Sequence, residues 1–256
     1  MIYFRNLLYN IVKYVSKSGV SMNINTTYTK IITGEDLMET AQHGSTFYPF
    51  QFYYEDLSVF DFNCIEWHWH TELEFIYIES GTVTLWIGEY QFHLTEGNGI
   101  FINTKVLHRL YSPSKALIPN FVFMPSFIAP CDSLIYQKYI LPIISSSFPF
   151  LVFHKKVCWQ AKVLSIMRQI ISAQDSVLSK ELLTSSLLQN LWLEIFENTD
   201  ISYQRCNCFI ICSNDCSSNI NFPSFQARYI PTSTFCTRSD RSPLQNRACS
   251  SGFSRT

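Results

Sequence analysis

The chain has 256 residues, of which 47% are hydrophobic and 15% charged, with a formal net charge of −1 at pH 7. That composition supports one large or two small buried cores and excludes bulk disorder. Near-neutrality also excludes a uniformly basic surface of the kind that coats nucleic acid.

Met1 to Val20 mixes Leu7, Leu8, Ile11, Val12 and Val15 with Arg5, Lys13 and Lys17. The basic residues interrupt the apolar run and no small-residue cleavage site follows, so a short amphipathic helix is expected rather than a secretory signal. Translation could start at Met1 or at Met22. No stretch reaches the ~18–20 uninterrupted apolar residues that cross a bilayer. A cytoplasmic protein with no membrane partner is therefore expected.

From Phe50 to Met124 the dominant period is two. Phe75, Tyr77, Val83, Leu85 and Ile87 alternate with Ile76, Ile78, Thr82, Thr84 and Trp86, and most are β-branched or aromatic, as pleated strands prefer. Turn signals recur at Glu79-Ser80-Gly81, Gly88-Glu89 and Glu96-Gly97-Asn98-Gly99. Short strands at that spacing predict a sandwich or a small barrel.

After about Pro149 the period becomes 3.6. One apolar stripe runs through Val157, Val163, Leu164, Met167, Ile170 and Ile171. A second helix is expected from about Val177 to Phe196, with Leu183, Leu187, Leu188, Leu191, Trp192 and Ile195 on one face. Gln174-Asp175-Ser176 is the expected connection, since Asp and Ser cap helices well. The stripes either cover the barrel or form a homodimer interface.

Composition changes sharply near residue 200. Ile201 to Thr256 contains eleven serines, six of the nine cysteines, six arginines, no lysine, no glutamate and one leucine, Leu244. No period persists there. Cys206, Cys208, Cys212 and Cys216 do not follow the paired C-x2-C zinc pattern, and no histidine follows them. The segment is expected to be an irregular tail, and its composition suggests an out-of-frame translation. The expected organisation is an N-terminal extension (1–40), a barrel (41–126), a helical dimerisation and linker region (127–200) and the tail (201–256).

The stretch richest in chemistry is Glu66-Trp67-His68-Trp69-His70-Thr71-Glu72-Leu73-Glu74. In a continuous strand His68, His70 and Glu74 share one face. His108 lies further on, and three imidazoles with a carboxylate suit a divalent transition metal such as Fe, Mn, Ni or Zn. The spacing His68-x-His70-x3-Glu74-x6-Gly81, followed after fifteen residues by Gly97-x5-Asn103-x-Lys105-x2-His108-x3-Ser112, resembles the two cupin motifs. The chain departs from them at Phe62, Asn103, Lys105 and Ser112, where cupins carry Gly, Pro, Gly and Asn. The resemblance implies a cupin-like jelly-roll barrel, mainly β with α, followed by two antiparallel helices.

The resemblance narrows through Phe50-Gln51-Phe52-Tyr53-Tyr54, His68-Trp69-His70, Glu72-Leu73-Glu74-Phe75-Ile76-Tyr77, Gly97 to Asn103 and Leu107-His108-Arg109. Together with Ile135 to Tyr139 and Leu187 to Trp192, these look like the sensor half of AraC-type transcription regulators, over about residues 40 to 198. The family implies a barrel that binds a small effector, often a sugar, and helices that dimerise. Its DNA-binding half, two helix-turn-helix units of on the order of 100 residues, finds no matching pattern here. DNA contact is expected only through a domain absent from this chain.

Two functions follow. The first is an effector-sensing and dimerisation module, not an enzyme and requiring no cofactor. In it His68, His70, Glu74 and His108 line the barrel mouth, Glu72 and Arg109 hydrogen-bond the effector, and Trp86 or Phe101 supplies an apolar wall. The alternative is a metal-dependent cupin enzyme, a dioxygenase or isomerase, with metal at the same four residues.

Overall fold

A computed structural model of the protein describes residues 28–146, 148–176 and 178–199. The expected N-terminal helix, both candidate start positions and the cysteine-rich tail lie outside the described residues. The strands are β1 (Phe50–Asp56), β2 (Cys64–His68), β3 (Leu73–Tyr77), β4 (Thr82–Ile87), β5 (Tyr90–Thr95), β6 (Gly99–Ile102), β7 (His108–Tyr111), β8 (Leu117–Phe123) and β9 (Phe150–Phe153). Two longer helices follow, α1 (Cys158–Ala173) and α2 (Lys180–Asn198). The strands form two antiparallel sheets, one ordered β1-β8-β3-β6-β9 and the other β2-β7-β4-β5. This is the cupin fold, with helices added to the barrel.

Strand parity sorts the apolar residues into two cores. Ile76, Ile78, Val83, Leu85, Ile100, Ile102 and Leu110 point between the sheets and fill the barrel. Leu73, Phe75, Phe101, Phe121, Phe123 and Phe153 leave the other face of the five-stranded sheet and meet α1 and α2. Every residue of β3 is buried because both of its faces are covered. Much of the phenylalanine content is therefore packing: the Phe75 ring lies 5.0 Å from Phe101 and 5.3 Å from Phe121.

The turn reading around Gly81 has a steric basis. Its φ is +88°, and a Cβ there would stand 2.7 Å from Lys115 O and 2.9 Å from Ala116 Cα. Ser80 bridges to Leu117 beside it, so the β3–β4 turn lies against the start of β8.

Three expectations need correction. Phe150–Phe153 falls where only helix was expected, yet it is a strand paired with β6. Its four consecutive apolar residues face both cores, Phe150 inward and Leu151 and Phe153 towards the helices, and such a run carries no alternation to betray it. The α1–α2 connection is capped differently too: Ser179 takes the N-cap position of α2 without a side-chain cap bond. Asp175 and Ser176 close a turn through their backbone N–H groups onto Ser172 O and Ala173 O.

The third concerns the stripe on α2. Leu187, Leu188, Leu191, Trp192 and Ile195 are buried within the chain, and Leu183 packs partly buried against the same core. Trp192 sets its ring edge-on to Phe101 at 6.0 Å and donates its indole N–H to Tyr139 O at 2.9 Å. The sheet needs this stripe to cover its phenylalanines; of the six side chains only Leu183 stays half-buried.

Candidate functional site

The histidine cluster forms where the chain changes sheets. β2 belongs to the four-stranded sheet and β3 to the five-stranded one. His68 and Glu74 thus do not share a continuous strand, as parity alone suggested; residues 69–72 carry the chain across. His68 faces His108 in register across β2 and β7. The imidazole rings are close, with centroids 4.0 Å apart for His68–His108, 5.4 Å for His70–His108 and 6.0 Å for His68–His70. All four groups are buried, and His108 is wholly so.

Backbone carbonyls fix the tautomers. Nδ1 of His68, His70 and His108 lies 2.8, 3.2 and 2.8 Å from the carbonyl oxygens of Glu66, Glu72 and Val106. A carbonyl only accepts, so each Nδ1 carries a proton, and each Nε2 is turned towards the interior of the cluster. One nitrogen from each of the three rings falls within 4.8 Å of the others. Glu74 Oε2 is 3.1 Å from His108 Nε2 and 3.4 Å from His70 Nε2. Lone pair would there face lone pair unless a proton or a metal ion lies between, and His108 Nε2 has no hydrogen-bond partner of good geometry. The donor set, its carbonyl-fixed orientation and this orphaned nitrogen all fit a divalent metal.

Burial, then the neighbouring His108, pushes the His68 imidazole well below its ordinary range and keeps it neutral. Burial opposes ionisation of Glu74, but the His108 and His70 imidazoles outweigh it and hold that carboxyl well below the usual range.

A cavity adjoins the cluster inside the barrel. His68, His70 and Glu74 form one part of its wall, and Tyr53 and Glu55 of β1 with Asn120 and Val122 of β8 form another. Tyr28, Ile31, Glu39 and His43, from the chain preceding β1, complete it. The volume is small, about 30 Å3, space for about two or three waters at ~10–15 Å3 each. Burial raises the Glu55 carboxyl to about 7, with hydrogen bonds from Tyr28 and Asn120 opposing. His43 lies with Nδ1 2.9 Å from Tyr53 Oη and Nε2 3.3 Å from Glu39 Oε2. Burial alone would lower its basicity, but Glu39 raises it.

The other expected site residues fall elsewhere. Phe101 points to the helices, on the far face of β6. Arg109 and Trp86 alternate outward from β7 and β4, where the guanidinium sits 4.9 Å over the indole and bonds Glu66 at 3.0 and 3.3 Å. None of the three lines the cavity. Glu72 stays beside the cluster, its carboxylate 3.8 Å from His70 Nδ1, without lining the cavity. Sequence reasoning missed Tyr53, Glu55 and Asn120, although two polar residues of one parity in an aromatic strand were a usable signal. For Tyr28, Glu39 and His43 no such signal existed, since residues 28–43 form only isolated bridges.

With fold and site in view, the comparisons place the chain among cupin-domain proteins in fold. Residues 64–118 match Cupin_2, the cupin domain. The HTH-type transcriptional regulator YdeC of Bacillus subtilis (strain 168) is 24% identical over 143 residues, covering 54% of this chain and 48% of YdeC. The chain thus spans about half the length of that curated relative. Among solved structures, ToxT from Vibrio cholerae is 14% identical, over 66% of this chain and 61% of ToxT, with a TM-score of 0.42. An RmlC-like cupin from Shewanella frigidimarina is 17% identical, over 30% of this chain and 67% of that one, with a TM-score of 0.27. Among the described residues no helix is long and apolar enough to cross a membrane.

Proposed function

We propose that this chain is the effector-sensing part of an AraC-type transcription regulator, binding a small polar metabolite inside the barrel; the cavity of about 30 Å3 is smaller than the expected sugar. The observation that carries this reading is the cavity inside the barrel, where Glu55, Asn120, Tyr28 and Tyr53 meet the His68–His70–Glu74 wall. Convergent polar groups on apolar barrel walls are how small-molecule sites fix orientation. The likeness to a relative named as an HTH-type regulator supports the regulatory setting. DNA contact in this reading belongs to residues other than α1 and α2, whose apolar faces are taken up by the barrel. A homodimer would likewise use side chains outside the buried α2 stripe.

The test is a thermal-shift screen of the full chain against sugars, polyols, amines and organic acids. A bound effector raises stability by about 2.7 kcal/mol at a hundred times its Kd. A Tm that no compound moves overturns the reading.

A second reading, a metal-dependent cupin enzyme, is favoured by the three gathered imidazoles, two of which reach Glu74 through Nε2. A divalent metal, if held by His68, His70, His108 and Glu74, would supply a Lewis-acidic centre. The chain's own part is to orient the imidazoles through Glu66, Glu72 and Val106 carbonyls. Metal affinity should fall at least about tenfold in His108→Ala, read by calorimetric titration. Turnover of a substrate by the metal-loaded protein is what this reading needs and the sensor reading does not.

A further inference from the structure

The wall of the cavity formed by Glu55, Asn120 and Tyr28 has used its donors. Tyr28 Oη donates to Glu55 Oε1 at 2.6 Å, and Asn120 Nδ2 donates both to Glu55 Oε2 at 3.0 Å and to Ile118 O at 3.3 Å. Both neighbours of the Asn120 amide nitrogen are acceptors, which settles the orientation of that amide. What remains for a ligand is the spare lone pairs of Glu55, of the Tyr28 oxygen and of the Asn120 carbonyl. Glu55 is 5% exposed and Asn120 4%, so water reaches these acceptors poorly. No Lys or Arg lines the cavity. Across it, the wall of His68, His70 and Glu74 backs onto the fully buried His108, whose Nε2 lies 3.1 Å from Glu74 Oε2.

Above about pH 7, where Glu55 is ionised, a carboxylate placed against it would meet like charge and the oxygens of Tyr28 and Asn120 as further acceptors. A hydroxyl would be accepted. An ammonium group would gain charge-assisted hydrogen bonds, about twice as strong as neutral ones. Resting on the effector-sensing reading above, we propose that the effector is a compact amine-bearing molecule whose ammonium group docks on Glu55, with a hydroxyl directed to the histidine wall, and that organic acids are refused. The cavity volume of about 30 Å3 matches a ligand of few heavy atoms.

Ethanolamine, ethylene glycol and glycolate are similar in size and end in ammonium, hydroxyl and carboxylate. Each is titrated calorimetrically into the full chain after dialysis against EDTA, so that metal at the histidines contributes nothing. The expected result at pH 8 is ethanolamine binding about tenfold or more tighter than glycolate, with Glu55→Gln erasing that advantage and weakening ethanolamine more than it weakens ethylene glycol. If Glu55→Gln does not fold, Tyr28→Phe keeps the carboxyl and should keep the order amine, diol, acid. Glycolate binding as well as ethanolamine, or an amine preference that survives Glu55→Gln, overturns the amine assignment while a sensing pocket stands. Binding of none of the three at millimolar concentration also overturns it, and the effector reading then rests on the wider thermal-shift screen.

Discussion

Phe62 and Lys105 stand where the cupin motifs carry glycine, and both adopt left-handed backbone. Phe62 has φ 58° and ψ 23°, and Lys105 has φ 60°. The turns have kept the conformation that glycine serves while carrying side chains that strain it, at a cost of roughly 1–2 kcal/mol per residue. Phe62 is 90% exposed, so removing its ring sacrifices little packing. Phe62→Gly should therefore stabilise the protein by about 0.5–1 kcal/mol after glycine's own entropic cost, and a urea midpoint that stays put or falls would refute the strain. The other two departures have gained bonds. Asn103 donates to Ile143 O at 3.2 Å and Phe148 O at 3.3 Å, tying the end of β6 to the chain leading into β9, a role proline cannot fill. Ser112 donates to Thr82 O at 2.8 Å. The motif residues were legible as a pattern; the conformations and bonds that explain the mismatches were not, because spacing says nothing of φ or of partners far along the chain.

At the scale of elements, α2 decides between covering the barrel and pairing two chains. Leu188 is 1% exposed inside the sheet–helix core, while Leu182 on the opposite side of the helix is 77% exposed. Leu188→Ala should cost about 2–5 kcal/mol, and Leu182→Ser should stay within about 0.5 kcal/mol. Unfolding measured at two protein concentrations separates the roles: a Leu188→Ala loss that shrinks on dilution would restore the interface reading. Periodicity located α1, α2 and most strands because a 3.6 or 2.0 repeat is a local property. It could not say which face met which layer. Phe101 and Leu85 both belong to alternating strands, yet one packs on helices and the other inside the barrel. Nor could it show that residues 69–72 cross between sheets, since that depends on which partner each strand finds.

For the whole molecule, the buried ionisable groups pull stability in opposite directions with pH. Glu55 rises from 4.5 to about 7 on folding. The folded chain then holds a proton that the unfolded chain releases, and this contribution is full below about pH 4.5 and lost as pH rises to about 7. Its size is on the order of 3 kcal/mol. His68, lowered by burial and by His108, acts the other way: below about pH 6.5 the unfolded imidazole takes up a proton that the folded one refuses. Glu74, held low by His108 and His70, adds stability above the ordinary carboxylate range that is lost on further acidification. Between about pH 4.5 and 6.5 the Glu55 and His68 contributions oppose each other, so the profile should be shallow there and fall steeply only in stronger acid. Glu55→Gln removes one arm of this balance without changing shape. Relative to wild type, the variant should gain on the order of 3 kcal/mol between pH 4.5 and pH 8, measured as the change in the two proteins' urea-unfolding difference. Parallel profiles for the two would mean that Glu55 ionises as freely in the fold as in the unfolded chain, and that the barrel interior is far wetter than its buried walls imply.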